Sequence, residues 1–410
     1  HELSHGVKNT GTIRETGGMK VPTQILANLV RVLHDLDRSN GELLPMMQFN
    51  DEPPLQGYFS TIGGKKPEWC GAVGMDPVFT QIRAIGESLE RYCIANHNEQ
   101  KIVYGKEGEV QNSLSLHRFV GQQVVEEDYG QPVCGEDVSI GWYPVKNIHG
   151  EESYVPQQVA TYAGGDEPFI WDRNTNGLAC HATEQKAMFS ALSELIERDA
   201  FLIRYHASKK APRVNINGHE ELQELLQLLR RYRLETEVYD LDLGFGLPVY
   251  MTILLDQTGH KPHIALGFGT SEIGIDAIRK SIFEAVQIRT YHRSLDEGAG
   301  ERSMSEIDAR ALLYNAATKK SLAHMLDDDA DFQEVKNLEG DIRDFIASFP
   351  HELHFADLTL PGMAGFKVMK AVCPDLVNLY FDDRAAPLNN PRLLEAAGEH
   401  PLHLVSHPFA

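Results

Sequence analysis

A short acidic motif interrupts an otherwise apolar, helix-like stretch at residues 191–199, ALSELIERD. Glu194 and Glu197 stand three residues apart, so on a helix they share one face, one turn from each other, and Arg198 extends the same face. Apolar residues cover nearly every other direction around this segment, which is the pattern of a helix buried in protein. The acidic side chains are therefore predicted to face an enclosed space.

Two further helix-like segments repeat the offsets of this motif. Their polar positions are Glu87, Glu90 and Arg91 in GESLERYC, and Glu284 and Gln287 in SIFEAVQIR. Arg289 lies one position beyond the offset that Arg198 occupies. One such motif alone most often forms a solvated helix face with local ion pairs. Three of them, one within an apolar helix where an unpaired carboxylate is costly, favour a shared functional site.

The chemistry of such a site follows from its charges. Carboxylates gathered from several helices repel one another unless a cation compensates them. Hard oxygen ligands suit Mg²⁺, which proteins typically bind together with the phosphates of a nucleotide. Arginine side chains among the acids can hold phosphate oxygens through two parallel hydrogen bonds. The pattern therefore predicts a site for a metal ion and a nucleotide.

Glycine motifs do not make this assignment more specific. The sequence has no G-x-x-x-x-G-K-[ST] motif, and GGKK at residues 63–66 does not match it. GFG occurs at residues 244–246 and 267–269, in both places without the third glycine of a dinucleotide-binding motif. We expect both GFG sequences to form tight turns.

Composition excludes several classes of partner. A formal net charge of −21, from 38 basic and 59 acidic residues, argues against binding to nucleic acid or to an anionic membrane surface. The 5 cysteines form no C-x-x-C pair, so neither a disulfide framework nor a zinc ribbon is expected. No apolar run is long enough for a membrane span, and the N-terminal residues lack the layout of a secretory signal. The chain is expected to be a soluble cytoplasmic protein.

Hydrophobic patterns predict an alternation of strands and helices along most of the chain. Besides the helix that carries Glu194, helices are predicted over residues 77–99, 219–234 and 275–292. Strands are predicted over residues 142–148, 152–162, 236–243, 247–256, 263–271, 353–360 and 366–373. Residues 294–346, with an acidic run at 327–331, are expected to form a solvated connecting region.

These elements indicate an α/β chain of mixed α+β type. No repeat, low-complexity tract or clear linker divides it, so one large domain is favoured over a string of modules. Within it we distinguish an N-terminal subregion at residues 1–75 from the main domain at residues 76–410.

Three segments together resemble the YcaO family, specifically its azoline-forming peptide cyclodehydratase branch. They are GESLERYC, NGLACHATEQKAMFSALSELIERDAF and LGFGTSEIGIDAIRKSIFEAVQIR, and the resemblance runs in order across residues 55–300. It implies one large YcaO-like catalytic domain with acidic helices around a site for ATP and Mg²⁺. The implied metal-side ligands, or their close support, are Glu87, Glu90, Glu194, Glu197 and Glu284. The residues implied to bind phosphate, or to hold the carboxylates in place, are Arg91, Arg198 and Gln287, with Glu194 also beside the nucleotide.

The resemblance also implies a reaction and its partners. In this branch a Cys, Ser or Thr side chain attacks the preceding amide, ATP phosphorylates the resulting oxyanion, and phosphate leaves to give a thiazoline or oxazoline. The implied partners are a ribosomally made precursor peptide and a separate leader-peptide-binding protein, because residues 1–75 are too few for a fused binding domain. A homodimer is left open, and no general base is assigned.

The C-terminus departs from the family pattern. The branch commonly ends in a sequence such as PHPFP, which lies near the active site, whereas this chain ends in SHPFA at residues 406–410. Two alternatives therefore stay open: another YcaO reaction, such as thioamide or amidine formation, and a catalytically silent scaffold. His400, His403 and His407 are expected to be surface or packing histidines, because the intervening prolines prevent one continuous helix.

Overall fold

The computed structural model describes residues 42–62, 70–123, 137–297, 317–363 and 365–408, together with residues 31, 311 and 314. The GGKK sequence at residues 63–66 and the last two residues, Phe409 and Ala410, lie outside the described residues. The N-terminal subregion is therefore described chiefly from residue 42 onward.

The described strands are short to medium in length. They are β1 Glu42–Pro45, β2 Gln56–Thr61, β3 Cys70–Gly74, β4 Val103–Gly105, β5 Ile140–Asn147, β6 Glu152–Pro156, β7 Leu178–His181, β8 Ala211–Pro212, β9 Leu234–Asp240, β10 Val249–Asp256, β11 Ile264–Thr270, β12 Leu326–Asp327, β13 His354–Asp357 and β14 Lys367–Val372.

Three long helices and several shorter ones accompany these strands. The described α-helices are α1 Pro77–Ala95, α2 His117–Val120, α3 Gln157–Ala160, α4 Glu184–His206, α5 Glu220–Arg231, α6 Gly274–Glu297, α7 Ile342–Ala347 and α8 Pro391–Ala397. Single 3₁₀ turns lie at Glu99–Lys101, Lys319–Leu322 and Asp383–Ala385. Within the described ranges, every helix falls short of the length or the apolarity that a bilayer span requires.

The strands form separate sheets that are mostly antiparallel. The largest has the order β4-β5-β13-β14-β7, with β6 as a further partner of β5. Two three-stranded antiparallel sheets have the orders β1-β2-β3 and β11-β10-β9. The short pair β8 and β12 is parallel. This mixture of antiparallel sheets and helices confirms the predicted mixed α+β class.

Strands β10 and β11 of the sheet β11-β10-β9 are buried on both faces, which explains their nearly continuous apolar sequences. Along β10, Met251 and Ile253 belong to the apolar cluster around α4, whereas Tyr250 and Leu254 belong to the cluster beneath α5 and α6. Successive side chains of a strand point to opposite faces, so both faces must be apolar. The buried helix α4 and the amphipathic helices α5 and α6 therefore enclose this sheet.

The helix starts follow from local capping. The Asp76 carboxylate accepts hydrogen bonds from the main-chain N–H groups of Val78 and Phe79, both at 2.9 Å, and Pro77 occupies the first turn of α1. The Thr183 hydroxyl accepts a hydrogen bond from Lys186 N at the start of α4. Both caps use a polar side chain directly before the first residue of the helix, and α1 begins at Pro77, as predicted.

The glycine prediction was right at one GFG sequence and wrong at the other. Both glycines of residues 244–246 have positive φ angles in a tight turn, as expected. Gly267 and Gly269 instead lie inside β11 beneath α6. A Cβ atom on Gly267 would lie 2.1 Å from the Ser281 carbonyl oxygen, and one on Gly269 would lie 2.1 Å from that of Ala277. These glycines therefore allow the helix to pack directly on the strand.

The sequence also misplaced some boundaries. Helix α1 ends at Ala95, not at residue 99, and the strand predicted over 152–162 ends at Pro156. The region 294–346 was predicted to be a solvated connector, but its described part contributes to the core. Met325 is fully buried, and Asp328 in the acidic run accepts a 2.6 Å hydrogen bond from the Tyr239 hydroxyl.

Candidate nucleotide and metal site

The three acidic helices meet because each pair of them packs against a common strand. Helices α1 and α4 share β7, α4 and α6 share β11, and α6 and α1 share β3. Each of the three helices contacts two of these strands and is thereby placed next to both of the other helices. The repeated motif of the sequence is therefore brought to one region of the fold by three different strands.

Glutamates of α1 and α6 accept main-chain hydrogen bonds from these shared strands. The bonds join Gly71 N to Glu87 Oε2 at 3.3 Å, Cys180 N to Glu90 Oε1 at 2.7 Å, and Phe268 N to Glu284 Oε2. Gln287 Nε2 donates a 3.1 Å bond to the Gly71 carbonyl oxygen. Each hydrogen bond involves one oxygen or nitrogen atom of the side chain and thereby fixes the direction of the second polar atom of the same side chain.

On α4 the acidic residues bind an arginine of the same helix. Arg198 Nη1 lies 2.7 Å from Glu197 Oε1, and Arg198 Nη2 lies 3.5 Å from Glu194 Oε1. The guanidinium carbon is also 5.9 Å from the centroid of the Phe268 ring on β11. On α1 the corresponding Arg91 Nη2 lies 3.3 Å from Glu87 Oε1.

Electrostatic coupling joins these carboxyl groups into one cluster. Burial is the largest cause that raises the pKa of Glu90, Glu194, Glu197 and Glu284. Neighbouring carboxylates raise these pKa values further: Glu87 and Glu194 act on Glu90, and Glu284 and Glu194 act on Glu197. Arg198 opposes the rise of the pKa at Glu194, Glu197 and Glu284. When ionised, these carboxylates together carry more negative charge than Arg198 alone compensates, and Arg91, Lys370 and Lys280 also act to lower individual pKa values.

This donor set fits a bound cation together with a nucleotide. Among the described residues, no group of three or more His, Cys, Asp or Glu side chains is arranged to hold a metal ion by itself. Mg²⁺ does not need such a cage, because it is usually bound by one or two carboxylates together with phosphate oxygens and water. The excess negative charge and the raised pKa values are the properties that a divalent cation would relieve.

The arginine of the third motif is not part of the cluster. Arg289 is buried and binds both carboxylate oxygens of Glu52, at 2.9 and 3.0 Å, and Asp256 Oδ2 at 2.6 Å. It also donates to the carbonyl oxygen of Pro262. In this third motif the position that corresponds to Arg198 is occupied by Ile288. Arg289 comes one residue later and therefore points in another direction, where it forms ion pairs with Glu52 and Asp256.

Lys370 is a charged neighbour of the cluster that the sequence analysis missed. It lies on β14, is 4% exposed, and its Nζ atom donates to the carbonyl oxygens of Asn174 at 2.8 Å and Asn176 at 3.0 Å. Burial lowers its pKa to about 8, although attraction to Glu194 opposes the change. Lys367 and Lys370 stand three apart in a predicted strand, so one of the two had to face inward. This spacing could have indicated from the sequence that one lysine is buried.

The C-terminal segment packs against the end of α4. His407 is fully buried, and its Nε2 atom lies 2.8 Å from the Tyr380 carbonyl oxygen. The Ser406 carbonyl oxygen accepts a 3.1 Å hydrogen bond from the Tyr205 hydroxyl. Pro408 lines the same cavity as Glu284. His407 is therefore a packing histidine, as predicted, and the segment reaches the neighbourhood of the acidic cluster.

Comparison with known proteins identifies the fold. A heterocyclase in complex with substrate and cofactor has a TM-score of 0.77 at 18% identity, over 94% of this chain and 58% of that one. YcaO from Methanopyrus kandleri bound with AMPPCP and Mg²⁺ has a TM-score of 0.62 at 17% identity, over 89% and 94%. The E. coli microcin synthetase McbBCD complex with pro-MccB17 bound has a TM-score of 0.63 at 16% identity, over 82% and 88%.

An uncharacterized protein of Methanothermobacter thermautotrophicus is 24% identical over 157 residues, which are 36% of this chain and 40% of that protein. The chain thus spans less than two thirds of the length of this relative and of the heterocyclase. At these identities the solved structures establish the fold alone.

A family model described as YcaO cyclodehydratase, ATP- and Mg²⁺-binding, matches residues 72–377, which include all three acidic helices. Its description confirms ATP and Mg²⁺ as the predicted cofactors. The family model matches well over half of this chain, and the fold and the acidic cluster agree with it. We therefore conclude that this chain belongs to the YcaO family.

Proposed function

We propose that this chain is an ATP- and Mg²⁺-dependent peptide cyclodehydratase that converts Cys, Ser or Thr residues of a ribosomally made precursor peptide to thiazolines or oxazolines. The observation that carries the proposal is the buried, mutually coupled carboxylate cluster on α1, α4 and α6 within a YcaO fold. Burial of several carboxylates lowers the stability of the fold unless a bound cation compensates their charge.

In this proposal the glutamates hold the metal ions and the basic residues orient the nucleotide. The proposed metal-side residues are Glu87, Glu90, Glu194, Glu197 and Glu284, and the proposed phosphate-side residues are Arg91, Arg198 and Gln287. The main-chain bonds from β3, β7 and β11 hold three of the glutamates in place before ligand binds. A site that is organised in advance loses little free energy to reorganisation when charge develops.

Bound ATP and Mg²⁺ supply the phosphoryl group that makes the amide oxygen a good leaving group and the positive charge that stabilises it. The chain itself provides positioning: Arg198 is held by two glutamates and a ring of β11, so its guanidinium cannot swing away from the cluster. Exclusion of water follows from the burial of α4, which leaves Glu197 only 6% exposed.

The proposed partners are the precursor peptide and a separate leader-peptide-binding protein, in the cytoplasm, with no nucleic acid and no membrane. The microcin synthetase neighbour, a complex with pro-MccB17 bound, supports a partner-dependent system of this kind. We also propose residues 76–410 as the catalytic domain and residues 1–75 as an N-terminal subregion. That subregion supplies β3, whose Gly71 bonds to Glu87 and Gln287.

Calorimetric titration of ATP with and without Mg²⁺ tests the nucleotide site. We expect Mg²⁺-dependent binding by the unchanged chain and its loss in a Glu194→Gln, Glu197→Gln variant, which preserves side-chain size. The same titration on a Glu184→Gln variant is the control, because Glu184 lies in the exposed first turn of α4. If the folded, unchanged chain binds no ATP in the presence of Mg²⁺, the enzyme proposal is contradicted and a scaffold role is favoured.

A peptide assay then tests the reaction. The chain is incubated with ATP, Mg²⁺ and a library of short peptides with one central Cys, Ser or Thr. The molecular masses of the products are then measured by mass spectrometry. Loss of one water per peptide supports azoline formation, whereas exchange of an oxygen for a sulfur atom in the presence of a sulfide source indicates thioamide formation instead.

A further inference from the structure

Phe59 is an exposed aromatic residue in the middle strand of the sheet β1-β2-β3. It is paired on both sides, with Leu44 on β1 and with Gly71 on β3. Phe59 is nevertheless 38% exposed, and Leu44 beside it is 47% exposed. Because the neighbouring strands cover the main chain of Phe59, the exposed area belongs chiefly to its ring. The face of the sheet that carries this ring is therefore open at Phe59.

Helix α6 covers another part of the same face. Directly opposite residues of antiparallel strands share a face, and so do alternate residues of one strand, so Phe59 shares its face with Gly71 and Val73. Val73 is 4% exposed and belongs to the apolar cluster that includes Phe283 of α6. Met46 belongs to the same cluster, and its methyl group reaches Gly71. The covered part of the face thus ends at Gly71, next to Phe59.

This boundary lies at the proposed nucleotide site. Gly71 N donates to Glu87 Oε2 at 3.3 Å, and the Gly71 carbonyl oxygen accepts a 3.1 Å bond from Gln287 Nε2. A Cβ atom on Gly71 would lie 3.3 Å from Phe59 Cδ1 and 3.4 Å from the same Gln287 nitrogen. The ring of Phe59 and the amide of Gln287 thus both adjoin Gly71. An exposed aromatic ring therefore lies beside a proposed metal-side residue and a proposed phosphate-side residue.

The chemistry of a nucleotide gives this ring a use. The acidic cluster accounts for the metal ion and the phosphates of bound ATP, but not for its base. A base presents flat faces that stack on aromatic side chains. It is joined to the phosphates through a single ribose, so the group that holds the base must lie close to the phosphate-side residues. Phe59 meets this condition, because its ring lies beside Gln287.

We infer that Phe59 is the platform on which the base of the bound nucleotide stacks. The inference rests on the proposed function and makes the nucleotide preference of the same site specific. Stacking on a ring depends on the area of the base and not on its hydrogen-bonding groups. The chain should therefore bind purine nucleoside triphosphates more tightly than pyrimidine ones, and GTP nearly as tightly as ATP.

Calorimetric titration of the full chain in excess Mg²⁺ tests the platform. The probes are ATP, GTP, CTP and ribose 5-triphosphate, which lacks only the base. We expect ATP to bind about tenfold more tightly than ribose 5-triphosphate, which corresponds to ~1.4 kcal/mol and is typical of one stacked base. GTP should resemble ATP, and CTP should bind with an affinity between those of ATP and ribose 5-triphosphate.

Variants at Phe59 separate stacking from the positioning of Gly71. Phe59→Ala should lower the affinity for ATP about tenfold and leave that for ribose 5-triphosphate unchanged. Phe59→Leu stays apolar but has no flat ring, so it makes the same test if the alanine variant does not fold. Phe59→Trp should retain the preference for ATP. Tyr104→Ala is the matched control, because Tyr104 is 68% exposed on β4 in another sheet, and it should change neither affinity.

The inference is overturned if ATP and ribose 5-triphosphate bind equally to the unchanged chain, or if the variants without a ring bind ATP as tightly as the unchanged chain does. It is also overturned if these variants lose affinity for both compounds alike, since Phe59 would then only position Gly71. Much weaker binding of GTP than of ATP would show that hydrogen-bonding groups select the base, against the inference. None of these outcomes affects the proposed cyclodehydration, which fails only if the unchanged chain neither binds ATP with Mg²⁺ nor removes water from any peptide.

Discussion

Arg198 and Glu197 form an ion pair inside the protein, with Nη1 and Oε1 2.7 Å apart and the two residues only 8% and 6% exposed. They are adjacent in sequence, so the contact requires no long-range folding step to bring them together. What the fold adds is burial: α4 is surrounded by apolar residues and by β11. A pair of this kind is costly to break, because removal of one partner leaves a buried charge uncompensated.

We expect Arg198→Met to lower the free energy of unfolding by about 3–5 kcal/mol, because Glu197 would lose its bound cation and Glu194 would lose the nearest of its cations. Arg91→Met is the matched control: Arg91 and Glu87 are about one third exposed, so this pair should contribute within about 1 kcal/mol. Urea denaturation of the metal-free proteins measures both values. Equal effects of the two substitutions would show that burial does not govern the strength of these pairs.

The glycines of β11 give a second prediction, in which two Gly→Ala substitutions have opposite effects. Gly267→Ala places a methyl group 2.1 Å from the Ser281 carbonyl oxygen and must separate α6 from β11, which should cost about 3 kcal/mol or more. Gly86→Ala, inside α1 with no atom beyond the neighbouring residues and backbone of α1 within 4 Å of the new methyl group, should stabilise the helix by about 0.5–1 kcal/mol. Thermal unfolding of both variants decides the signs. Unchanged stability of Gly267→Ala would contradict the direct contact between helix and strand.

The acidic helices were predictable because their signal is local. Two carboxylates three residues apart within an apolar helix, such as Glu194 and Glu197, are visible in the sequence, and the cost of their burial follows from elementary electrostatics. The role of Gly267 was not predictable in the same way, since a glycine in a turn and a glycine under a helix look alike until the packing partner is known. The same holds for Cys180, whose main-chain N–H binds Glu90, because backbone groups leave no trace in the sequence.

Non-local pairing explains the other differences. The strands β8 and β12 are two residues long and pair across more than a hundred residues, so neither has a periodic pattern of its own. Arg289 was one position away from the repeated motif, and only the structure shows that Glu52 and Asp256 bind it. Sequence patterns thus indicate which residues carry charge into the core, whereas tertiary contacts decide which of those charges share a site.

Acidification should weaken the contact between α4 and the C-terminal segment through His206. Its Nδ1 atom lies 2.7 Å from the His403 carbonyl oxygen, and its Nε2 atom lies 3.2 Å from the Tyr380 hydroxyl, so the neutral ring satisfies both partners. Burial lowers the pKa of His206 from 6.5 to about 4. The unfolded chain therefore binds more protons between these values, and stability falls as the pH decreases through this window.

This group alone should cost about 2 kcal/mol of stability between about pH 7 and about pH 5. Urea denaturation at the two pH values measures the loss. A His206→Gln variant is less stable at both values but should lose about 2 kcal/mol less between them. Tyr380→Phe removes one hydrogen-bond partner and keeps the titrating ring, so its loss should resemble that of the unchanged chain. A pH dependence that is identical in the His206 variant would refute the assignment.

Binding of ATP and Mg²⁺ should release protons from the acidic cluster. The pKa values of Glu90, Glu194, Glu197 and Glu284 are raised, so these groups retain protons above the pH at which an unfolded glutamate loses them, near 4.5. Metal ligands must be deprotonated, so affinity for the metal-nucleotide complex should rise with pH and binding should release protons from the cluster. In the absence of metal, the folded chain binds more protons than the unfolded chain above about pH 4.5, because the pKa of Glu197 is raised to about 8. The free energy of unfolding should therefore decrease as the pH rises above 4.5.

Calorimetry in two buffers of equal pH but different ionisation enthalpy measures the protons released. The titration is run at about pH 8 with excess Mg²⁺, where the nucleotide is already deprotonated and metal-bound, so that any proton comes from the protein. The Glu184→Gln variant should release as many protons as the unchanged chain, because Glu184 lies in the exposed first turn of α4. Tight binding with no proton release would mean that the glutamates are already ionised, and the excess negative charge of the cluster would then have to be compensated by groups other than Arg198.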